Sequence, residues 1–153
     1  MEELFFSDWE VVIRLFMAVV LGGFLGLERT IAGKVAGVRT YALVGMGAAL
    51  FVVVSQLMVT RYWLAGVVDF DPLRVASQVV MGIGFLGAGL IIFRKNDVAG
   101  LTTAAGLWVS VGVGLASGFG LYSVAVIATA ITLFIFTVMW FIERWVKKSF
   151  DRV

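Results

Sequence analysis

Five long apolar segments, separated by short polar connections, organise this chain. They cover residues 11–27, 40–59, 73–93, 101–117 and 121–142. A helix that crosses the hydrocarbon core of a bilayer needs roughly 20 apolar residues, and about 17 are tolerated. The pattern therefore predicts an all-α membrane protein with five transmembrane helices, forming a single transmembrane domain over residues 1–153.

The composition agrees with a bilayer environment and removes several kinds of chemistry. Hydrophobic residues make up 61% of the 153 residues, whereas about half is usual in a soluble domain. The chain has no cysteine and no histidine, which excludes disulfides, thiolate or imidazole metal ligands and Ser-His-Asp catalysis. We expect no cofactor, no enzymatic activity and, at a net charge of +2, no nucleic-acid partner.

The basic residues predict the orientation. Arg14, Arg61 and Arg74 lie on the amino-terminal side of the membrane, and the other nine lysines and arginines lie on the opposite side. Because cytoplasmic segments carry the excess of basic residues, the amino terminus is predicted outside and the carboxyl terminus in the cytoplasm. Arg14 is expected to extend to the interface beside Asp8 and Glu10.

Small residues recur every four positions in two segments, which places them on one helix face. They are Ala18, Gly22 and Gly26 in the first segment and Thr102, Gly106, Ser110, Gly114 and Gly118 in the fourth. Such faces let helix backbones approach closely. We predict helix packing at these glycines, at Ser110 and at Gly84 and Gly87, with the fourth helix inside the bundle and the bulkier fifth forming much of the lipid-facing surface.

Polar residues cluster at the start of the third segment. Asp71 stands at an N-cap position, followed by Pro72 at the first helical position. Gln78 lies inside the segment, and hydrocarbon cannot satisfy its amide, so we expect it to face other helices or water. A hydrogen bond between helices and a ligand contact both remain open for Gln78.

The predicted cytoplasmic helix starts carry a second polar set. Arg39 and Thr40 open the second segment, and Thr102 and Thr103 open the fourth. Amino ends of helices attract anions, so these residues either form a small anion or carboxylate site or serve only as caps. Glu28, at the end of the first segment, is either an interface anchor or part of a functional cluster.

An internal repeat is predicted from two pairs of similar segments. GFLG at 23–26 recurs at 84–87, and VAGVRTYA at 35–42 recurs as VAGLTTAA at 98–105. The first two helices would thus correspond to the third and fourth. Since both pairs turn on the same side, the relation would be a parallel repeat about an axis along the membrane normal.

Four segments carry a resemblance to a known family. They are GLER at 26–29, GVRTYALVGMGAALF at 37–51, DPLRVASQVVMGIGFLGAGLI at 71–91 and GLTTAAGLWVSVGVGLASGFGLY at 100–122. Together they resemble the MgtC/SapB family over most of the chain. The resemblance implies a multi-pass protein of the bacterial inner membrane, associated with magnesium limitation and, in some members, with survival inside host cells and modulation of the proton-translocating ATP synthase.

The resemblance also implies a set of functional positions. Those within matching segments are Glu28, Arg39, Thr40, Asp71, Arg74, Gln78, Thr102, Thr103 and Trp108. Many family members continue into a soluble cytoplasmic domain, whereas only VKKSFDRV follows Trp145 here. We expect the transmembrane domain alone.

Two functions remain open. All ten acidic residues lie at or outside the predicted segment ends, which counts against a dedicated divalent-cation carrier, because Mg²⁺ prefers oxygen ligands; no metal ligand is assigned. We expect a regulatory or interaction module in magnesium homeostasis, whose partner besides the bilayer is a second copy, forming a dimer, or another membrane protein. The alternative is a transporter or channel for Mg²⁺ or a small solute.

Overall fold

The computed structural model describes residues 7–63, 71–94 and 97–150. Its helices are α1 (Asp8–Ile31), α2 (Val38–Trp63), α3 (Pro72–Leu90), α4 (Leu101–Gly118), α5 (Tyr122–Phe134) and α6 (Trp140–Phe150), with a π-helical turn over Ile135–Met139 and two strands, β1 (Ile92–Arg94) and β2 (Asp97–Ala99). The predicted connection between the second and third segments lies mostly outside the described residues.

The prediction of five membrane-spanning helices is confirmed. Helices α1 to α4 are each long and apolar enough to cross a bilayer, and α5, the π-helical turn and most of α6 form the fifth span, Tyr122–Val146. The first helix begins earlier than predicted because the Ser7 hydroxyl accepts a hydrogen bond from the Glu10 backbone N–H at 3.3 Å. Asp8 and Glu10 in its first turn also favour the helix dipole.

The prediction that the third helix continues to residue 93 is wrong. The helix ends at Leu90, and Ile91 has extended backbone angles. The next residues pair as an antiparallel hairpin in which Ile92 lies opposite Ala99 and Phe93 opposite Val98. Two glycines in the last turn weaken the helix, and the β-branched and aromatic residues that follow favour a strand.

Gly100 joins this hairpin to α4. Its φ of 91° is a left-handed conformation, and a Cβ there would overlap the Leu90 carbonyl oxygen. Only glycine therefore allows the hairpin to close back on the end of α3 while α4 begins.

Helix α4 lies at the centre of the bundle, as predicted. It is the most buried of the five spans, and α3 is the least buried. Helices α1, α2, α3 and α5 all pack against α4. The structure leaves α3 more exposed than the fifth span, for which the sequence predicts much of the lipid-facing surface.

The small face of α4 lies directly against the backbone of α2. A Cβ on Gly114 would overlap the Gly45 carbonyl oxygen, and one on Gly118 would lie 2.8 Å from that of Ala49. Helix α1 approaches α2 in the same way at Gly22, where a Cβ would lie 2.7 Å from the Tyr41 carbonyl oxygen. A backbone carbonyl oxygen is among the nearest atoms at each of the three glycines, beside the side chains of Ala48, Val52 and Ser110. The close approach of the backbones therefore sets the helix spacing.

The fifth span packs one aromatic side chain inward at its π-helical turn. Phe136 is buried and packs against Gly106. A Cβ added to Gly106 would lie only 2.5 Å from the Phe136 Cζ. Hydroxyls along this span donate back to the preceding turn, as Thr129 does to the Ala125 carbonyl at 2.8 Å. They are thereby satisfied without a partner helix.

The predicted repeat stays a prediction. Helices α2 and α4 begin at equivalent positions of the two similar segments, Val38 and Leu101, each directly after a glycine. The connections leading to them differ, because a short loop precedes α2 and the strand hairpin precedes α4.

We expect Gly114→Ala to destabilise the protein, because its methyl group must push α4 away from α2. Overpacking of this kind costs about 1–3 kcal/mol. The control is Gly112→Ala in the same helix, where a Cβ meets no atom within 4 Å and alanine should gain up to about 1 kcal/mol through helix propensity. Reversible unfolding of the detergent-solubilised protein measures both, and equal stability of the two variants would contradict this packing.

Candidate functional site

Polar side chains form clusters at both ends of the α1–α2–α4 core. These ends are called outer and inner here, after the orientation that the basic residues predict. The outer end contains the start of α1, and the inner end contains the starts of α2 and α4.

The outer cluster is centred on Arg14. Its Nη1 donates to Gln56 Oε1 at 2.6 Å and to the Gly118 carbonyl at 2.8 Å, and its Nη2 donates to Glu10 Oε1 at 2.6 Å. One guanidinium thus joins α1, α2 and the end of α4. Only an arginine presents several N–H donors in a fixed planar arrangement suited to such divergent acceptors.

The expectation that Arg14 extends to the interface is therefore wrong. The side chain pairs with Glu10 but turns into the bundle, leaving the residue 6% exposed. The reason is that Gln56 and the last carbonyls of α4, which lack partners within the helix, offer acceptors at this depth. Next to Gln56, the Ser55 hydroxyl is also buried, and no described group hydrogen-bonds to it.

The inner cluster begins with Glu28 and Arg29 at the end of α1. Arg29 forms an ion pair with Glu28, and its guanidinium carbon lies 3.6 Å from the centre of the Phe136 ring. Arg29 is 3% exposed. A buried cation is tolerated here because a carboxylate and an aromatic face both stabilise it.

Tyr41 connects the two inner helix starts. Its hydroxyl donates to the Thr103 carbonyl at 2.9 Å, and its own carbonyl accepts from the Ser110 hydroxyl at 3.0 Å. Gly106 leaves the space for the Tyr41 hydroxyl, since a Cβ on Gly106 would lie 2.6 Å from that hydroxyl oxygen. The predicted starts of α2 and α4 therefore meet in space.

Arg39 and Thr40 lie on the other side of the α2 start. They line a small cavity of about 340 Å³ together with Thr30, Gly37 and Val38. The Thr30 hydroxyl accepts from the Val38 backbone N–H at 3.2 Å and donates to the Gly26 carbonyl at 3.0 Å. The end of α1 thus caps the start of α2, while Arg39 and Thr40 remain exposed.

Asp71, Arg74 and Gln78 form a separate group on α3. Asp71 is the N-cap, and its carboxylate accepts from the Leu73 backbone N–H at 2.8 Å. Arg74 and Gln78 line a groove between α2 and α3. Gln78 is exposed in this groove rather than enclosed by neighbouring helices.

The remaining predicted residues divide between core and surface. Thr103 is buried, whereas Thr102 and Trp108 are exposed. Gly26 lies against the loop before α2, where its Cβ would be 2.7 Å from the Gly37 carbonyl oxygen.

The two predicted packing glycines of α3 differ from those of α1 and α4. A Cβ on Gly84 would meet no atom within 4 Å, and one on Gly87 would reach only the Cβ of Ala104, at 4.0 Å. The prediction that a helix packs at Gly84 therefore stays a prediction, and it would concern a helix of another protein chain.

Sequence reasoning missed the inward roles of Arg14, Tyr41 and Phe136. Arg14 and Gln56 are charged or amide residues inside otherwise apolar spans, and each needs a polar partner there. Their shared need for a polar partner could have indicated that Arg14 and Gln56 contact each other. Tyr41 and Phe136 gave no comparable signal, because aromatic residues are common in such helices.

We expect Arg14→Met to cost about 2–4 kcal/mol of stability, because Gln56, Glu10 and the Gly118 carbonyl lose a shared charged donor. Arg14→Lys should recover only part of this loss, since one ammonium cannot reproduce the planar donor set. Arg61→Met is the control, an exposed arginine at the same end of the bundle, and should change stability by less than about 0.5 kcal/mol. Unfolding midpoints in detergent measure all three, and an Arg14→Met variant as stable as Arg61→Met would contradict the assignment.

Comparison with known proteins places these features in a family. The chain matches the model of the MgtC family over residues 15–145. It is 43% identical over 129 residues to "Putative magnesium transporter YhiD" of Escherichia coli (strain K12), covering 84% of this chain and 60% of that protein. It is 50% identical over 112 residues to "Protein MgtC" of Brucella abortus (strain 2308), covering 73% of this chain and 44% of that protein.

The chain spans about half the length of these curated relatives. No solved structure matches it. The family match includes Arg29, Tyr41, the small face of α4 and the polar start of α3. With five apolar helices and this match over most of its length, the chain belongs to the MgtC family of multi-pass membrane proteins.

Proposed function

We propose that this protein acts in magnesium homeostasis in the bacterial inner membrane as a regulatory interaction module. In this proposal it binds a transmembrane helix of another membrane protein on one side of α3. That side, called the α3 outer face, consists of Ser77, Met81, Gly84 and Ala88. Here "outer" means exposed on the side of the bundle and does not refer to the outer end. The spacings of four, three and four residues place them on one helix face.

The exposure of the α3 outer face carries the proposal. All four residues are exposed, and α3 is the least buried span. Gly22 of α1 and Gly114 and Gly118 of α4 lie against neighbouring backbones, whereas Gly84 has open space where a Cβ would lie. In a bilayer, close packing of small residues is a main source of helix association, so this face is suited to a second helix.

The acidic residues support an interaction module over a magnesium carrier. Glu10 is paired with Arg14 and Glu28 with Arg29, while the carboxylates of Asp71 and Asp97 accept backbone N–H groups. Mg²⁺ requires octahedral oxygen ligands and gives up its water reluctantly. An ion bound directly at Glu10 or Glu28 would therefore compete with an arginine for the carboxylate.

A transporter for Mg²⁺ is the second candidate, favoured by the name of the E. coli relative. Arg74 and Gln78 in the α2–α3 groove are the polar side chains that such a route would use.

We expect Gly84→Leu to abolish binding of the partner helix, because the leucine occupies the space that the partner backbone would need. Its matched control is Gly82→Leu, the same change two residues away, where a Cβ also meets no atom within 4 Å. The measurement is native electrophoresis of membranes from cells grown at low magnesium, with growth recorded in parallel. Gly84→Leu should reduce the amount of complex at least tenfold, which corresponds to a loss of about 1.4 kcal/mol of binding free energy. Gly82→Leu should leave the amount of complex unchanged. An intact complex in Gly84→Leu would contradict the proposal.

Flux measurements separate the two candidates. Proteoliposomes that contain only this protein should show no saturable Mg²⁺ flux above protein-free vesicles. Saturable flux that Gln78→Ala removes, from protein that remains folded in the membrane, would overturn the interaction module and establish transport.

A further inference from the structure

A long apolar groove lies between α2 and α3, with one polar end. We call it the α2–α3 groove; its volume is about 690 Å³, and Leu43, Gly47 and Phe51 line one side, Gly82 and Leu86 the other, with Val111 of α4 as the floor. Volumes of about 300–1,000 Å³ are typical of sites for small organic ligands. The groove therefore has room for a ligand of that size.

The polar end of the groove consists of Arg74 and Gln78, one helical turn apart. Asp71, three residues before Arg74, already accepts the Leu73 backbone N–H. Within the described residues, no hydrogen bond or ion pair satisfies the Arg74 guanidinium or the Gln78 amide. A cation and an amide are thus both available to one ligand.

We propose that the α2–α3 groove binds one acyl chain of an anionic glycerophospholipid. The phosphate lies at Arg74, an ester carbonyl accepts from the Gln78 amide, and the hydrocarbon chain follows Gly82 to Leu86. An arginine guanidinium binds phosphate through charge-assisted and often bidentate hydrogen bonds. By the predicted orientation, this lipid belongs to the outer leaflet.

The length of the groove fits one lipid leaflet. The twelve residue-to-residue steps from Arg74 to Leu86 span about 18 Å at 1.5 Å per step, and half of a typical hydrocarbon core is about 15 Å. An acyl chain whose headgroup contacts Arg74 therefore reaches the far end of the groove near the middle of the bilayer.

The charge at the polar end of the groove favours an anionic lipid over an apolar protein helix. Such a helix would bring no counter-charge to Arg74, whereas a lipid phosphate supplies one at the end where the cation lies.

Gly47 and Gly82 keep the groove open. A Cβ at either position would meet no atom within 4 Å, so a side chain can begin there without moving a helix. Gly82→Leu therefore places a leucine in the groove. Gly84→Leu adds the same side chain to the α3 outer face and serves as its matched control.

Native mass spectrometry of the full chain, released from vesicles containing equal amounts of phosphatidylglycerol and phosphatidylcholine, tests the proposal. The wild-type protein should retain one phosphatidylglycerol, at least tenfold in preference to phosphatidylcholine. Gly82→Leu should reduce this retention at least tenfold, and Gly84→Leu should leave it unchanged. Arg74→Gln should lower the preference about fivefold, as for one basic contact at a membrane surface.

Three results would overturn the lipid site. They are equal retention of the two lipids by the wild type, unchanged retention in Gly82→Leu, and loss of a protein dimer rather than of lipid in Gly82→Leu, which would assign the groove to a second copy. The lipid site and the helix-docking face are tested by different glycines, so failure of one proposal leaves the other standing.

Discussion

The close contact between the backbones of α2 and α4 is the constraint on which the rest of the bundle depends. At Gly114 and Gly45 no side chain separates the two helices, and Gly118 repeats the contact one turn later. Only at this spacing can the Tyr41 hydroxyl reach the Thr103 carbonyl and Arg14 reach the Gly118 carbonyl. Small residues thus determine where the polar contacts form.

The two buried arginines stabilise opposite ends of this packed core. Arg14 satisfies acceptors on three helices at the outer end, while Arg29 is held between Glu28 and the Phe136 ring at the inner end. Both charges lie where water is largely excluded, so their partners are costly to remove. This core leaves α3 at the periphery, packed against α4 and α2 on one side, with the groove open between α3 and α2. A buried three-helix core and one exposed helix fit the proposal that α3 binds a partner helix.

The sequence predicts the helices and the packing faces of α1 and α4, but not that of α3, because the helices and the first two faces follow from local spacing. Apolar runs identify the five spans, and the four-residue spacing identifies the buried face from Gly106 to Gly118. The inward turn of Arg14 could not be predicted, because its acceptor Gln56 is 42 residues away and only the helix packing brings them together. The end of α3 at Leu90 was hidden for a similar reason, since apolar residues continue into a strand whose partner follows in the sequence.

Cross-linking in native membranes tests directly whether α3 presents a face to another membrane helix. The chain has no cysteine, so Gly84→Cys provides one attachment point for a photoreactive maleimide, and Gly112→Cys provides an equally open control on α4. We expect a defined protein adduct from position 84 and none from position 112. Replacing Ala88 by leucine as well should remove the position-84 adduct. Only lipid adducts at position 84, or equal protein adducts at both positions, would contradict this expectation.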